Sequence, residues 1–163
     1  MRVAVQESVW LAAPRDVVFD FVASEAGFLS FPGYGPIPGL ARVEFEHGSY
    51  QQVGSESRVT NTDGSTHREQ VVECDRPRRF AVRIHSLSSP FRLLVRELDE
   101  SWELSTEGTG SRLHRTFGFT LRSPLVWPLS LPLAQWMFRA AIRHHHQWLA
   151  AHFAATPGPA APT

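Results

Sequence analysis

The sequence contains no lysine and a single cysteine, and its 16 arginines balance its 16 aspartates and glutamates. A lone cysteine, Cys74, excludes an internal disulfide and a metal site built on a cysteine pair. A chain without net charge lacks the positive field that drives nucleic-acid binding. We therefore expect no nucleic-acid partner.

Long apolar runs are also lacking. The most apolar stretch, PLVWPLSLPLAQWMF at 124–138, is too short to span a bilayer and contains three prolines. The opening MRVAVQESVW alternates polar and apolar residues and has no apolar signal-peptide core. We expect a cytoplasmic monomer or homodimer without stable membrane insertion. Residues 1–153 are predicted to form one domain, and 154–163, ending in ATPGPAAPT, a disordered tail.

The order of local patterns predicts an α+β fold. Residues 2–11 alternate as a half-buried strand, and apolar residues then recur at helical spacing over 14–23, with a second short helical turn over 24–31. The segment FPGYGPIPG at 31–39 has too many glycines and prolines for regular structure. From residue 40 onward, six strands follow, joined by turns such as TDGS and STEGTG. With the first strand, they predict a seven-stranded antiparallel sheet.

The last predicted element is a long helix over about 128–153. One broad face carries Ala134, Met137, Phe138, Ala141, Trp148 and Leu149, and the opposite face carries Gln135, Arg139, Arg143, His146 and Gln147. An amphipathic helix of this length against a curved antiparallel sheet is a two-layer arrangement. The space between the two layers is where a ligand would bind.

Three segments of the chain resemble a known family. They are ESVWLAAPRDVVFDFV near the start, EQVVECDRPRRFAVRI in the middle and the hairpin ESWELSTEGTGSRLHRTFGF. Together they are similar to the polyketide cyclase/dehydrase branch of the START-like (SRPBCC, helix-grip) superfamily, over residues 3 to about 153. The resemblance implies a helix-grip fold with a deep cavity between sheet and helix that takes an apolar small molecule. This superfamily includes both lipid carriers and aromatic polyketide cyclases.

The register of the hairpin centred near Gly108 predicts which side chains face that cavity. Pairing across the turn keeps nearly all large apolar residues on one face, and the same face also receives charged residues. The residues predicted to face the cavity from the first strand and from this hairpin are Glu7, Arg96, Glu100, Trp102, Arg115 and Phe117.

A row of Glu7, Arg115 and Glu100 across the cavity floor has three interpretations. It is a structural ion network in which each charge makes the burial of another tolerable. Alternatively, it anchors a polar group at one end of an apolar ligand. In the third interpretation Glu100 has a raised pKa and acts as an acid or base.

Other elements are predicted to complete the lining. Phe28, Phe31 and Tyr34 lie in or beside the segment rich in glycine and proline, and are candidates for a gate over the entrance. The strands that flank TDGS suggest neutral polar lining. The remaining predicted ligand contacts are Ser57, Gln70, Met137, Ala141 and His145.

The histidine run at 144–146 does not predict a metal site. Consecutive helical residues point about 100° apart, and the positions four residues after the first two histidines hold tryptophan and leucine. His145 and His152 share a face but stand about 10 Å apart along the helix, too far for two Zn–N bonds of about 2.0–2.1 Å. We expect a solvated His146, a boundary His144, and a His145 that points at the sheet as a core or ligand-contacting residue.

Two functions from different classes follow from the sequence. The first is binding or transport of an apolar, lipid-like or polyketide-like molecule. The second is a cyclase or dehydrase that works through Glu100, Arg115 or His145 without a metal or nucleotide cofactor. A third idea is a partner or membrane surface at Trp136 and the apolar residues 124–133. No phosphate-binding glycine loop or nucleophile elbow suggests other chemistry.

Overall fold

A seven-stranded antiparallel sheet and one long helix form the two layers of the molecule. The computed structural model describes residues 2–89, 91–93, 95–122 and 127–155. The helices are α1 (Arg15–Val22), α2 (Glu25–Leu29) and α3 (Trp127–Ala155). The strands are β1 (Arg2–Leu11), β2 (Gly33–Tyr34), β3 (Ile37–Pro38), β4 (Leu40–His47), β5 (Glu56–Asn61), β6 (Thr66–Asp75), β7 (Arg79–His85), β8 (Val95–Glu107) and β9 (Gly110–Leu121).

The strand order in the large sheet is β1-β9-β8-β7-β6-β5-β4, and every neighbouring pair is antiparallel. Each strand from β4 to β8 pairs with its successor in the chain, while β1 pairs with β9. This order, with α3 packed on β1, confirms the predicted helix-grip fold. α3 ends at Ala155, so the first two residues of the predicted tail are helical, and 156–163 lie outside the described residues.

The predicted register of the β8–β9 hairpin is correct near its turn. Trp102 lies opposite Arg115, and Glu100 lies opposite Phe117. Gly108 adopts a positive φ of 61° at the turn, a conformation that glycine adopts without steric cost. Toward the far end, a bulge between Val95 and Glu97 changes the parity of β8. The apolar side chains of these strands form the core together with α1 and α3.

The segment 31–39 is more regular than predicted. It folds back as a small hairpin in which Gly33 pairs with Pro38 and Tyr34 with Ile37. Gly33 and Gly35 have φ values of 75° and 57°, so the backbone turns where only glycine is comfortable. The glycines and prolines thus build a tight turn of defined shape.

The buried face of α3 is rotated from the predicted one. Ala141, Ile142, His145, His146, Leu149 and Phe153 are buried. Trp148, predicted to be buried, is 40% exposed and stacks on Phe21 and His152. The cause is that α3 packs against β1 at one edge of the sheet, which brings residue 146 under cover and leaves residue 148 at the boundary.

Part of the proposed interaction surface at 124–133 lies outside the described residues, which omit 123–126. In the described part of α3, Leu133 and Trp136 are exposed. Of the helices in the described ranges, none has the length and apolar character needed to cross a bilayer.

Candidate functional site

A cavity lies between the sheet, α2, the β2–β3 hairpin and α3. The centre of a water-sized sphere can occupy about 120 Å³ inside it. Most of the wall is apolar, including Phe28, Phe31, Phe80, Leu98, Phe117 and Phe138. Polar side chains interrupt this wall at Asn61, His67, Glu69, Glu100, Arg115 and His145.

Arg115 is the central polar residue of this wall. It is only 3% exposed, and its Nε donates a hydrogen bond to Oε1 of Glu100. Its Nη1 lies 2.9 Å from Nδ1 of His145. The guanidinium carbon lies 4.3 Å from the centre of the Trp102 ring and 5.5 Å from that of Phe31. The cation is therefore held by a carboxylate, an imidazole and two aromatic faces.

The contacts of His145 fix its tautomer. An arginine can only donate, so Nδ1 of His145 must accept from Arg115, and the ring proton must sit on Nε2. Nε2 lies 2.8 Å from the hydroxyl oxygen of Ser30, which in turn donates to the carbonyl of Gly27 at 2.6 Å. A chain of hydrogen bonds thus runs from Glu100 through Arg115 and His145 to α2. His145 is a satisfied buried residue that also lines the cavity.

Burial shifts the pKa values of this cluster. Burial, together with the positive charge of Arg115, lowers the pKa of His145 to about 2. The imidazole is therefore neutral, which agrees with the tautomer above. Burial also raises the pKa of Glu100, and its attraction to Arg115 opposes part of that rise.

His67 and Glu69 form a second polar group in the cavity wall that the sequence analysis did not predict. Both are buried on β6, and Nε2 of His67 lies 2.9 Å from Oε1 of Glu69. Nδ2 of Asn61 lies 3.4 Å from the other ring nitrogen of His67. Oε2 of Glu69 is buried and has no hydrogen-bond partner among the described residues.

The pairing of β5 with β6 explains why Glu69 faces the cavity and Gln70 does not. Ser57 and Gln70 were predicted together from the TDGS hairpin, but Ser57 lies opposite Glu69, and Gln70 lies opposite Glu56. The inward face of this part of β6 carries His67, Glu69 and Val71. Gln70 is not among the lining residues. The available sequence signal was the alternation of these three residues with Thr66, Arg68 and Gln70.

The structure places seven of the predicted contact residues in the cavity wall. They are Phe28, Phe31, Glu100, Trp102, Arg115, Phe117 and His145. Of the predicted row, Arg115 and Glu100 are in contact. Glu7 lies opposite Arg115 in the β1–β9 register, but its carboxylate pairs with Arg143 at 3.0 Å and Arg139 at 3.5 Å. The predicted row is therefore interrupted between Glu7 and Arg115, because the two arginines of α3 pair with Glu7.

The other predicted contacts lie outside the wall. Arg96 is exposed, because the bulge between Val95 and Glu97 turns it away from the interior. Tyr34 is 45% exposed and packs against the ring of His144. The rotation of α3 puts Phe138 in the wall, where Met137 was predicted. Ser57 and Ala141 are buried without lining the cavity.

His146 is buried, so the prediction that it is solvated is wrong. It is 4% exposed, and its Nε2 has no hydrogen-bond partner in the described part of the chain. Burial lowers its pKa to about 3, with further contributions from Arg115 and His114.

Within the described ranges, no three His, Cys, Asp or Glu side chains are grouped so that they could hold a metal ion.

A comparison with known protein families agrees with the fold. The sequence profile of a family described as "Polyketide cyclase / dehydrase and lipid transport" matches residues 2–154. No curated protein sequence matches the chain significantly.

Solved structures share the architecture at low sequence identity. Ara h 8.0201 has a TM-score of 0.72 at 12% identity, covering 96% of this chain and 100% of its own. The di-domain ARO/CYC BexL, from the BE-7585A biosynthetic pathway, has a TM-score of 0.70 at 18% identity, covering 96% of this chain and 51% of its own. Norcoclaurine synthase from Thalictrum flavum has a TM-score of 0.66 at 16% identity, covering 95% and 98%.

Proposed function

Because this chain belongs to the polyketide cyclase/dehydrase and lipid transport family, we propose that it binds an apolar, ring-containing or lipid-like molecule in its cavity. Arg115 holds an acceptor group of that ligand, such as a carbonyl or carboxylate. The structure of BexL, an ARO/CYC protein of a biosynthetic pathway, is consistent with a ligand of the aromatic polyketide type. For the present chain, the cytoplasmic location and the monomeric or homodimeric state stay predictions.

The observation that carries this proposal is the set of donors on Arg115. Its Nε donates to Glu100 and its Nη1 to His145, while no hydrogen bond within the described residues uses its Nη2. A guanidinium has five N–H donors, so these two hydrogen bonds leave donors that an acceptor in the cavity can use. An acceptor on a bound ligand would satisfy them. The aromatic rings of Phe31 and Trp102 on the guanidinium favour a flat ligand beside it.

The second candidate function is a cyclase or dehydrase that uses Glu100. The raised pKa of this carboxyl favours a proton on it nearer neutral pH than in water, which suits a general acid. Carriage is favoured over catalysis, because Glu100 already contacts Arg115 and both nitrogens of His145 already have protein partners. Turnover of a polyketide-like carbonyl compound that Glu100→Gln abolishes, with ligand affinity retained, would instead support the enzyme.

The test compares naphthoic acid with methylnaphthalene, in competition with the fluorescent probe anilinonaphthalene sulfonate. The two compounds have similar shape, but only naphthoic acid carries an acceptor group. We expect the wild type to bind naphthoic acid about tenfold more tightly, the effect of one charge-assisted hydrogen bond. The double variant Arg115→Met/Glu100→Gln, which leaves no unpaired charge, should bind both compounds equally.

The matched control is Arg112→Met, which removes another arginine of β9 whose partner Glu107 lies on the surface. It should keep the preference for naphthoic acid. Failure of the wild type to bind either compound would contradict the proposal. So would a preference that survives in the double variant.

A further inference from the structure

We propose that His67 and Glu69 form a second polar subsite in the same cavity, which receives a hydrogen-bond donor of the ligand, a hydroxyl or an ammonium group. The inference rests on the proposed function, because it specifies the ligand further. The molecule would carry an acceptor group toward Arg115 and a donor group toward Glu69. Its apolar body would lie between them.

The carboxylate of Glu69 has one oxygen that the described residues leave without a donor. Glu69 is 6% exposed and lines the cavity on β6, with one oxygen, Oε1, taken by His67 at 2.9 Å. The other oxygen, Oε2, is buried and has no partner among the described residues. A buried acceptor without a donor loses its hydrogen bonds to water without replacement, and the loss is greater when the acceptor is charged. A group that lines a ligand cavity and lacks a donor from the protein is suited to take one from a ligand.

The described cavity wall has more carboxylates than guanidinium groups. Among the described lining residues, the carboxylates Glu69 and Glu100 face a single guanidinium, that of Arg115. Arg115 contacts Glu100, and the neighbouring His145 is neutral. The negative charge of Glu69 therefore has no arginine of its own. A donor group, and above all a cationic one, would compensate it.

A structural ion pair would look different. On the surface of the same protein, the two oxygens of Glu107 accept hydrogen bonds from Nη2 and Nε of Arg112, each at 2.6 Å. The buried Glu69 uses only one oxygen, and His67 is held from behind by Asn61. The protein thus fixes one oxygen of the Glu69 carboxylate through His67, and within the described residues the other oxygen has no partner. This arrangement suits recognition of a ligand better than it suits stabilisation of the sheet.

The test uses naphthoic acid, its ring-hydroxylated positional isomers and the corresponding aminomethyl isomers, measured by the same probe competition. At least one hydroxylated or aminomethylated isomer should bind the wild type about tenfold more tightly than naphthoic acid itself. A gain confined to the hydroxyl set identifies a neutral donor, and a larger gain in the aminomethyl set identifies a cation. Glu69→Met should remove the gain, so that the substituted isomers bind this variant no more tightly than naphthoic acid does.

Gln70→Met is the matched control, since Gln70 is the next residue of β6 and does not line the cavity. It should keep the gain. If Glu69→Met fails to fold, Glu69→Gln preserves the shape and should remove the advantage of the aminomethyl isomers. If no isomer gains over naphthoic acid, or if Glu69→Gln keeps the whole aminomethyl advantage, the subsite is wrong while Arg115 binding stands. If the wild type does not bind naphthoic acid at all, the proposed function itself fails.

Discussion

The full positive charge of Arg115 lies in a wall made mostly of aromatic and aliphatic side chains. Moving such a charge out of water costs several kcal/mol, so its neighbours must repay that cost. Glu100 supplies the opposite charge, His145 a neutral acceptor, and Trp102 an aromatic face at 4.3 Å. Each neighbour also depends on Arg115, because the removal of the cation leaves Glu100 buried without a counter-charge.

This dependence predicts a large difference between a single and a double substitution. Arg115→Met should lower the free energy of unfolding by about 3–5 kcal/mol, because Glu100 remains buried and unpaired. Arg115→Met/Glu100→Gln should recover most of that loss. The measurement is urea denaturation followed by circular dichroism, with Arg112→Met as the surface control. A double variant no more stable than the single one would refute this account of the pair.

His146 predicts how stability depends on pH. Its pKa is about 3 in the folded protein and about 6.5 in the unfolded chain, so the unfolded chain takes up a proton first as the pH falls. The stabilisation is complete above about pH 6.5 and is lost at roughly 1.4 kcal/mol per pH unit below it. His114 and Arg115 are the charged or titratable groups that act on this ring.

Substitution by leucine isolates that contribution. His146→Leu removes both the titration and the unpartnered Nε2, so it should not destabilise the protein near neutral pH. Below about pH 6.5 it should reduce the slope by the share of this ring, while His145 keeps its own share. The exposed neighbour His144 is the control, since His144→Leu should leave the slope unchanged. Urea denaturation at several pH values measures both. Equal slopes for wild type and His146→Leu would show that the ring is not kept neutral by the fold.

The β2–β3 hairpin forms one border of the cavity through Ile37 and Pro38. Its two glycines with positive φ differ in their surroundings. A Cβ on Gly33 would lie 2.4 Å from the backbone nitrogen of Gly39, whereas a Cβ on Gly35 would meet no atom within 4 Å. The hairpin therefore depends on Gly33 for close packing and on Gly35 only for its turn.

These two positions give a matched pair of substitutions. Gly35→Ala should cost about 1–2 kcal/mol, the cost of the left-handed conformation alone. Gly33→Ala should cost more, and should also weaken binding of naphthoic acid, because the backbone at the cavity border must move. Urea denaturation and probe competition provide the two readouts. Equal effects of the two variants would mean that the hairpin tolerates a shift.

The strands also show how far the sequence predicts the site. Alternation predicted seven antiparallel strands and the pairing of Trp102 with Arg115, since both depend on the period of two and on the turn at Gly108. The inward Arg96 was wrong because a bulge in β8 reverses the parity, and the inward Gln70 was wrong because Glu69, rather than Gln70, lies opposite Ser57 in the TDGS hairpin. A bulge adds one residue to one strand, and its place depends on contacts with the partner strand that alternation does not contain.

The two layers of the molecule enclose a cavity beside their core, so ligand binding should add to stability. A ligand that binds only the folded state at about 100 times its Kd adds about 2.7 kcal/mol. For a chain of this size, that corresponds to a rise in Tm of roughly 5–10 °C. Differential scanning fluorimetry with naphthoic acid measures this rise. Methylnaphthalene at the same concentration should give a smaller one, and equal rises would argue against an acceptor anchor.

All seven strands of the large sheet precede α3 in the chain, and α3 contributes Phe138 and His145 to the cavity wall. A ribosome therefore makes the whole apolar face of the sheet before it makes the helix that covers it. During this interval, Arg115 lacks His145, and the rings around it are exposed to water and to other chains. Exposed apolar surface on an incomplete chain promotes aggregation. Until α3 has been made, the new chain thus exposes more apolar surface for a chaperone to bind than it offers as a site for the ligand.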